Sequence, residues 1–280
     1  MKKLIATTAM AAAFCGCVST PEPGYDTLIA HRGESFDAPE NTLPAYHMAV
    51  DRGFGFECDI YLSADKRLFT VHDPNLKRTT DGANSNACTE VDWDGVISKL
   101  NVGGWGKWKG SKFDPTRPAL LEEVLALARP GRKIYVEVKG DDPSWVPYIK
   151  AAFAKEPRAT PDTVLFITFG RKICAELKRS MPEFKTYWLT IAMTGPKGNK
   201  KPVSVEYILD TLRETGADGV DINFAPKVIT ADFVSAVKSA GYELHVWTVD
   251  DPELAAEAFR RGAQTVTTNR AKYILDALGK

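Results

Sequence analysis

The chain has 280 residues, 44% hydrophobic and 26% charged, which excludes a disordered or fibrous protein and allows one sizeable core or a single α/β barrel. Lysine plus arginine and aspartate plus glutamate each total 36, so no global charge points to nucleic acid or to an anionic membrane surface; any anion site must be local. Beyond the N-terminal region only Cys58, Cys88 and Cys174 occur, an odd and widely spaced set that gives neither a disulfide framework nor a zinc site.

The first feature in chain order is a leader. Lys2 and Lys3 precede an alanine-rich apolar run over residues 4–14, the pattern of a secretory signal and too short to span a bilayer. The segment Phe14-Cys-Gly-Cys17 resembles a bacterial lipoprotein signal. Cleavage before Cys17 makes residues 1–16 a signal peptide and 17–26 a tether, with an acylated Cys17 as the membrane anchor; plain cleavage to a soluble exported protein is the alternative. Either outcome predicts export, to the periplasm or the membrane face of the bacterial envelope, with residues 27–280 as a single domain.

A short apolar run at 27–30 predicts a strand that delivers His31 and Arg32 to its end, where Gly33 lets the backbone turn. Asn41 is the expected N-cap of a helix through Arg52, closed by Gly53. Further strands are predicted at 54–60, 133–138, 163–168, 186–189, 219–222, 243–248 and 264–267, and helices at 120–128, 171–179, 204–214, 231–240 and 252–261. This alternation implies a parallel sheet. Eight such units within ~250 residues imply a closed TIM (β/α)8 barrel, with an open doubly wound sheet as runner-up. The apolar run at 68–72 follows too soon for a parallel crossover, so it should form a hairpin arm with the second strand and return His72 to the rim. Residues 74–118 then read as a long excursion, a lid or rim with a short helix near 92–100.

Glu57 and Asp59 are two apart on a strand and point to one face, which in a barrel is the interior. Two bare carboxylates there repel, and one divalent cation resolves the repulsion; oxygen ligands favour Ca²⁺ or Mg²⁺ over zinc or copper. Cys58, between them, should face the opposite way, into apolar packing. Glu137 and Lys139 repeat the arrangement, offering a third ligand and a cation for a phosphate oxygen, with an internal salt bridge as the bland alternative. His31 and His72 stand at strand termini and suit proton transfer across a scissile P–O bond. His47 and His245 read as ordinary structural histidines. Arg32 offers a planar fork to phosphate, or else a salt bridge to Glu34 or Glu40; Glu40 is itself either a neighbour of the metal or a charge at the first helix's positive end.

Together His31-Arg-Gly33, Pro39-Glu-Asn-Thr42, Glu57-Cys-Asp59, Val71-His-Asp73, Glu137-Val-Lys139 and Val246-Trp-Thr248 resemble the ordered signature of the glycerophosphodiester phosphodiesterase family, over residues 28–272. The resemblance implies a metal-dependent TIM barrel that splits a small glycerophosphodiester to sn-glycerol 3-phosphate and an alcohol. It implies His31 and His72 as the acid/base pair, Glu57, Asp59 and Glu137 as ligands of one Ca²⁺ or Mg²⁺, and Arg32 and Lys139 as phosphate contacts. Trp247 is the aromatic expected to frame the substrate pocket, more than Phe169, Trp105 or Trp108. The chain departs from the family pattern at Thr168-Phe169, Thr268-Asn269 and Asp250, which bears on substrate choice and rim geometry. Two other readings stand beside it: a lysophospholipase D or sphingomyelinase D-like activity on lipid diesters, and a non-catalytic surface lipoprotein that binds a host or envelope component. No nucleic acid and no protein partner is expected.

Overall fold

A computed structural model describes residues 21–80, 85–195 and 199–280; the leader, Cys17 and the first residues of the tether lie outside them. Among the described residues the strands are β1 (Leu28–Ala30), β2 (Gly55–Leu62), β3 (Leu68–Thr70), β4 (Ile134–Val138), β5 (Val164–Thr168), β6 (Thr186–Thr190), β7 (Met193–Thr194), β8 (Lys201–Pro202), β9 (Gly219–Asn223), β10 (Glu243–Trp247) and β11 (Val266–Thr268). The α-helices are α1 (Leu43–Asp51), α2 (Leu121–Leu125), α3 (Val146–Lys155), α4 (Arg171–Ser180), α5 (Val205–Thr215), α6 (Ala231–Ser239), α7 (Pro252–Arg260) and α8 (Ala271–Ala277). Strands run in the order β1-β11-β10-β9-β6-β5-β4-β2, all parallel, and β1 pairs back onto β2. The sheet is therefore the closed eight-stranded parallel barrel of the TIM fold, with helices outside.

Register gives every barrel strand the same parity. Ile29 pairs with Gly55 and Thr267, Glu57 with Tyr135, Asp59 with Glu137, Glu137 with Ile167, Tyr187 with Gly219, and Asp221 with Leu189 and His245. Paired residues of neighbouring strands point the same way, so odd-numbered positions line the lumen all round the ring. There Ile29, Tyr135, Leu165, Ile167, Tyr187 and Leu189 form a compact inner core. Even-numbered positions such as Phe56, Cys58, Ile60, Val136, Phe166, Val220 and Val246 pack outward, in the large core shared with the helices. Cys58 falls where its spacing predicts. It, Cys88 and Cys174 are free thiols in buried positions.

Helix starts follow from capping side chains: Thr42, Ser204, Thr230 and Asp251 each accept a hydrogen bond from the backbone N–H three residues on, at α1, α5, α6 and α7. The cap of α1 is thus Thr42, not Asn41. Asn41 has a left-handed backbone (φ 56°), and its amide is engaged instead with Asp59 and Tyr46. The helices α3 and α8 escape the sequence pattern, α3 because Pro143 and Pro147 stand at its approach and α8 because it is only seven residues long. The small hairpin β7–β8 is likewise additional.

The hairpin arm is as expected. β2 runs past the barrel, and its upper end pairs antiparallel with β3, Ile60 to Thr70 and Leu62 to Leu68. In the excursion, the helix expected near 92–100 is a single 3₁₀ turn, Ile97–Lys99. This region rests on a satellite core of Phe69, Val71, Leu76, Cys88, Val91, Trp93 and Ile97, so it is a packed rim continuous with the hairpin.

Gly33 joins β1 to this scaffold with φ 79°, and a Cβ there would lie 2.6 Å from the carbonyl carbon of Ala45 in α1. Replacing it strains the backbone and overpacks the turn beneath His31 and Arg32. Gly33→Ala is therefore expected to lower unfolding free energy by roughly 2–4 kcal/mol in urea titrations; a loss below ~1 kcal/mol would contradict this account.

Candidate active site

The strands deliver their last lumenal residues to one end of the barrel, where a cavity of about 180 Å³ opens. His31, Arg32, Glu57, His72, Glu137 and Lys139 form its charged side; Ile167, Phe169, Leu189 and Trp247 form an apolar side, joined by Asp221, Thr248 and Thr267. Seven of the eight residues singled out from sequence line this cavity. The eighth, Asp59, is fully buried against it, with Oδ1 3.1 Å from the Lys139 ammonium. His72 arrives from the hairpin arm, in the segment just past β3.

Glu57, Asp59 and Glu137 offer oxygens that all lie within 4.8 Å of one another. Burial, and then the charges of Asp59 and Glu137, push the Glu57 carboxyl well above the ordinary range. Glu137 is raised to about 8 by burial and by Asp59. Burial acts on Asp59 in the same direction, but Lys139, Arg32 and the two histidines together hold it below the ordinary range. Lys139 donates to Glu137 Oε1 at 2.7 Å. Glu57 Oε1 is nevertheless buried with no hydrogen-bond partner, and Asp59 Oδ1 has only the ion pair with Lys139. An orphaned carboxylate oxygen facing two further carboxylates fits a hard divalent cation, and an all-oxygen donor set suits Ca²⁺ or Mg²⁺.

Each remaining group is held from behind. His31 Nδ1 lies 2.7 Å from Asn269 Oδ1, whose amide nitrogen donates to Asp250 Oδ2 at 2.7 Å. Asp250 also accepts from the Thr268 hydroxyl and the Asn269 backbone N–H. The amide is thereby oriented with its oxygen toward His31, so Nδ1 carries the hydrogen and Nε2 presents a lone pair, 3.9 Å from Glu57 Oε2. Burial and the neighbouring Arg32 charge lower the His31 pKa to about 4. His72 Nδ1 donates to Asp73 Oδ1 at 2.9 Å; burial lowers its pKa while Asp59 opposes. Asp73 in turn accepts from Arg78, whose guanidinium also grips Glu40.

Arg32 stands in a left-handed conformation (φ 57°), its N–H donating to Glu57 Oε2 at 2.8 Å. Its Nη1 donates to Glu40 at 2.7 Å, so the Glu40 pairing anticipated from sequence forms, whereas Glu34 pairs with Arg52. Glu40 joins Arg32 to Arg78. Nε of Arg32 is buried without a hydrogen-bond partner, 3.5 Å from Asp59. Trp247 lines the cavity edge-on to Phe169 (5.8 Å), its indole N–H donating to the Asp221 carbonyl. Trp105 and Trp108 lie outside it, under Arg78 and against Phe113. His47 is an exposed helix residue, and His245 is buried low in the barrel against Thr265.

The sequence profile of the Glycerophosphoryl diester phosphodiesterase family matches residues 31–272. The chain belongs to this family. A probable glycerophosphodiester phosphodiesterase 1 of Mycobacterium tuberculosis is 39% identical over 123 residues, 41% of this chain and 43% of that protein. The chain thus spans under half the length of that relative. A glycerophosphodiester phosphodiesterase of Caldanaerobacter subterraneus is 26% identical over 90% of this chain and 98% of its own length. Among solved structures, an Oleispira antarctica phosphodiesterase in complex with the product sn-glycerol-3-phosphate superposes with TM-score 0.76 at 25% identity, covering 91% of this chain and 97% of its own.

Sequence reasoning missed Asn41, Arg78, Asp221 and the pair Asn269–Asp250 as parts of the site. Asp221 had a legible signal as a lone acid at a lumenal position in an apolar strand, and Asn41, Asn269 and Asp250 stood at positions already singled out for the family signature or its departures.

The raised Glu137 pKa has a defined consequence for cation-free protein. A proton retained in the fold up to about pH 8, but held only to about 4.5 by an ordinary glutamate, contributes stability that is complete below 4.5 and is lost as pH rises through 8. Calorimetry in chelator should show this loss at the alkaline end, and Glu137→Gln should show a smaller one, with the contribution of Glu57 remaining. Millimolar Ca²⁺ or Mg²⁺ should restore Tm by at least ~3 °C at pH 8 in the unaltered protein and not in the variant. A Tm indifferent to cation would exclude the site.

Proposed function

We propose that the chain hydrolyses glycerophosphodiesters to sn-glycerol 3-phosphate and an alcohol. The observation that carries the reading is the convergence on one small cavity of two buried carboxylates, with a third directly behind them, two histidines with free Nε2 atoms, and the cations Arg32 and Lys139. Family membership and the product named for the Oleispira structure support the same substrate class. A cavity near 180 Å³ suits a glycerol phosphate group.

Arg32, through Nε, and Lys139, through Nζ, hold the non-bridging oxygens of the phosphoryl group. A divalent cation bound by Glu57, Asp59 and Glu137 would add Lewis-acid charge at the same oxygens. His31, uncharged at neutral pH with its Nδ1–H fixed by Asn269, accepts the proton of the attacking hydroxyl at Nε2. His72, whose Nδ1–H is held by Asp73, donates from Nε2 to the departing alkoxide; the arriving anion and Asp59 favour its charged form for that purpose. The Lys2-Lys3 leader and Cys17 support an exported protein tethered through an acylated cysteine.

Purified protein should release choline from glycerophosphocholine, and rigorous chelation should abolish the release until Ca²⁺ or Mg²⁺ is returned. His31→Ala and His72→Ala should each lower kcat at least ~100-fold while circular dichroism and Tm stay those of the unaltered protein. Near-normal turnover in both variants would refute the assigned roles. Turnover indifferent to chelation would refute the metal.

A further inference from the structure

Asp221 takes no part in that chemistry, yet it occupies a costly position. It lies on β9, four strands round the eight-strand ring from β2, and so across the lumen from Glu57 and Asp59. Its side chain is 1% exposed, its Oδ1 has no hydrogen-bond partner, and it lines the cavity among Ile167, Leu189 and Trp247. It stands outside the set of oxygens clustered within 4.8 Å of one another, so it is not a further ligand for the same cation. A buried carboxyl oxygen without a partner destabilises the fold by itself, so its occurrence at a cavity wall points to a ligand group that completes it. Burial, and secondarily Glu137, raises its pKa well above the ordinary range. A neutral carboxyl has one donor and one acceptor face, the complement of an alcohol hydroxyl.

We propose that Asp221 binds a free hydroxyl on the polyol arm of the substrate, making it the residue that selects diesters of hydroxylated alcohols. The inference rests on the diester-hydrolysis reading. With phosphate at the charged side, the arm that crosses the cavity meets apolar side chains, two threonine hydroxyls and this carboxyl. The carboxyl is the group there that loses most if no hydroxyl arrives.

The test compares unaltered protein, Asp221→Asn and Asp221→Leu on glycerophosphocholine and on bis(p-nitrophenyl) phosphate, which has no hydroxyl. The leucine variant should lower the ratio of the two kcat/KM values about 10- to 100-fold, chiefly through KM for glycerophosphocholine. Its Tm should equal or exceed that of the unaltered protein, because an unpaired buried polar group has been removed. The asparagine variant keeps a donor and an acceptor and should retain most of the ratio. An unchanged ratio in the leucine variant overturns the proposal, as does a fall in Tm with equal losses on both substrates. If the unaltered protein cleaves neither diester, the hydrolysis reading fails, and calorimetric binding still decides Asp221. A preference for sn-glycerol 3-phosphate over inorganic phosphate that disappears in Asp221→Leu supports it; a preference that persists, or is absent from the start, overturns it.

Discussion

Three buried carboxylates share one end of the barrel lumen, and the rest of the site follows from that conflict. Removing each charge from water costs several kcal/mol even after relaxation, and mutual repulsion adds to it. Glu57, Asp59 and Glu137 face two cations, Arg32 and Lys139, so the fully ionised cluster is one positive charge short. The distribution of pKa values is the response: Asp59, which pairs with both cations, stays ionised, while Glu57 and Glu137 retain protons far above their ordinary range. A divalent ion and a proton are competing solutions to the same deficit.

Around this centre the side chains are arranged in pairs, one that reaches the cavity and one that fixes it. Asn269 stands behind His31, Asp73 behind His72, Asn41 behind Asp59 and Glu40 behind Arg32, and Arg78 joins two of these supports by bridging Asp73 to Glu40. Even the unfavourable left-handed backbone of Arg32 and Asn41 is held by bonds within the site, Arg32 N–H to Glu57 and Asn41 N–H to the Arg32 carbonyl. Strain tolerated at two adjoining segments, and secured by hydrogen bonds, is the pattern expected where geometry must be set before substrate arrives.

Much of this was legible in the sequence, because the barrel obeys period two. Glu57 and Asp59, or Glu137 and Lys139, can be placed on one face by counting, and the spacing between Tyr61 and Leu68 forbids anything but a hairpin. Counting fails where a side chain serves a tertiary partner instead of its own element. Asn41 looks like a cap, yet its amide answers Asp59, and the neighbouring threonine caps the helix in its place. Asn269 meets His31 across 238 positions of sequence, and no local pattern announces such a contact. The prolines at the head of α3 disguise a helix whose first turn accommodates them, since the N–H groups there have no intrahelical acceptor.

The uniform parity of the barrel has a consequence for how the protein can diversify. One set of positions answers to the helices and carries the stability of the fold; the other answers to whatever occupies the lumen. Changes at 167, 189 or 221 can reshape the cavity while the outward neighbours at 166, 188 and 220 keep their packing. New substrate ranges are therefore open to selection, natural or in the laboratory, through substitutions whose structural cost stays local. A one-residue insertion in any strand would exchange the two sets at once and forfeit both.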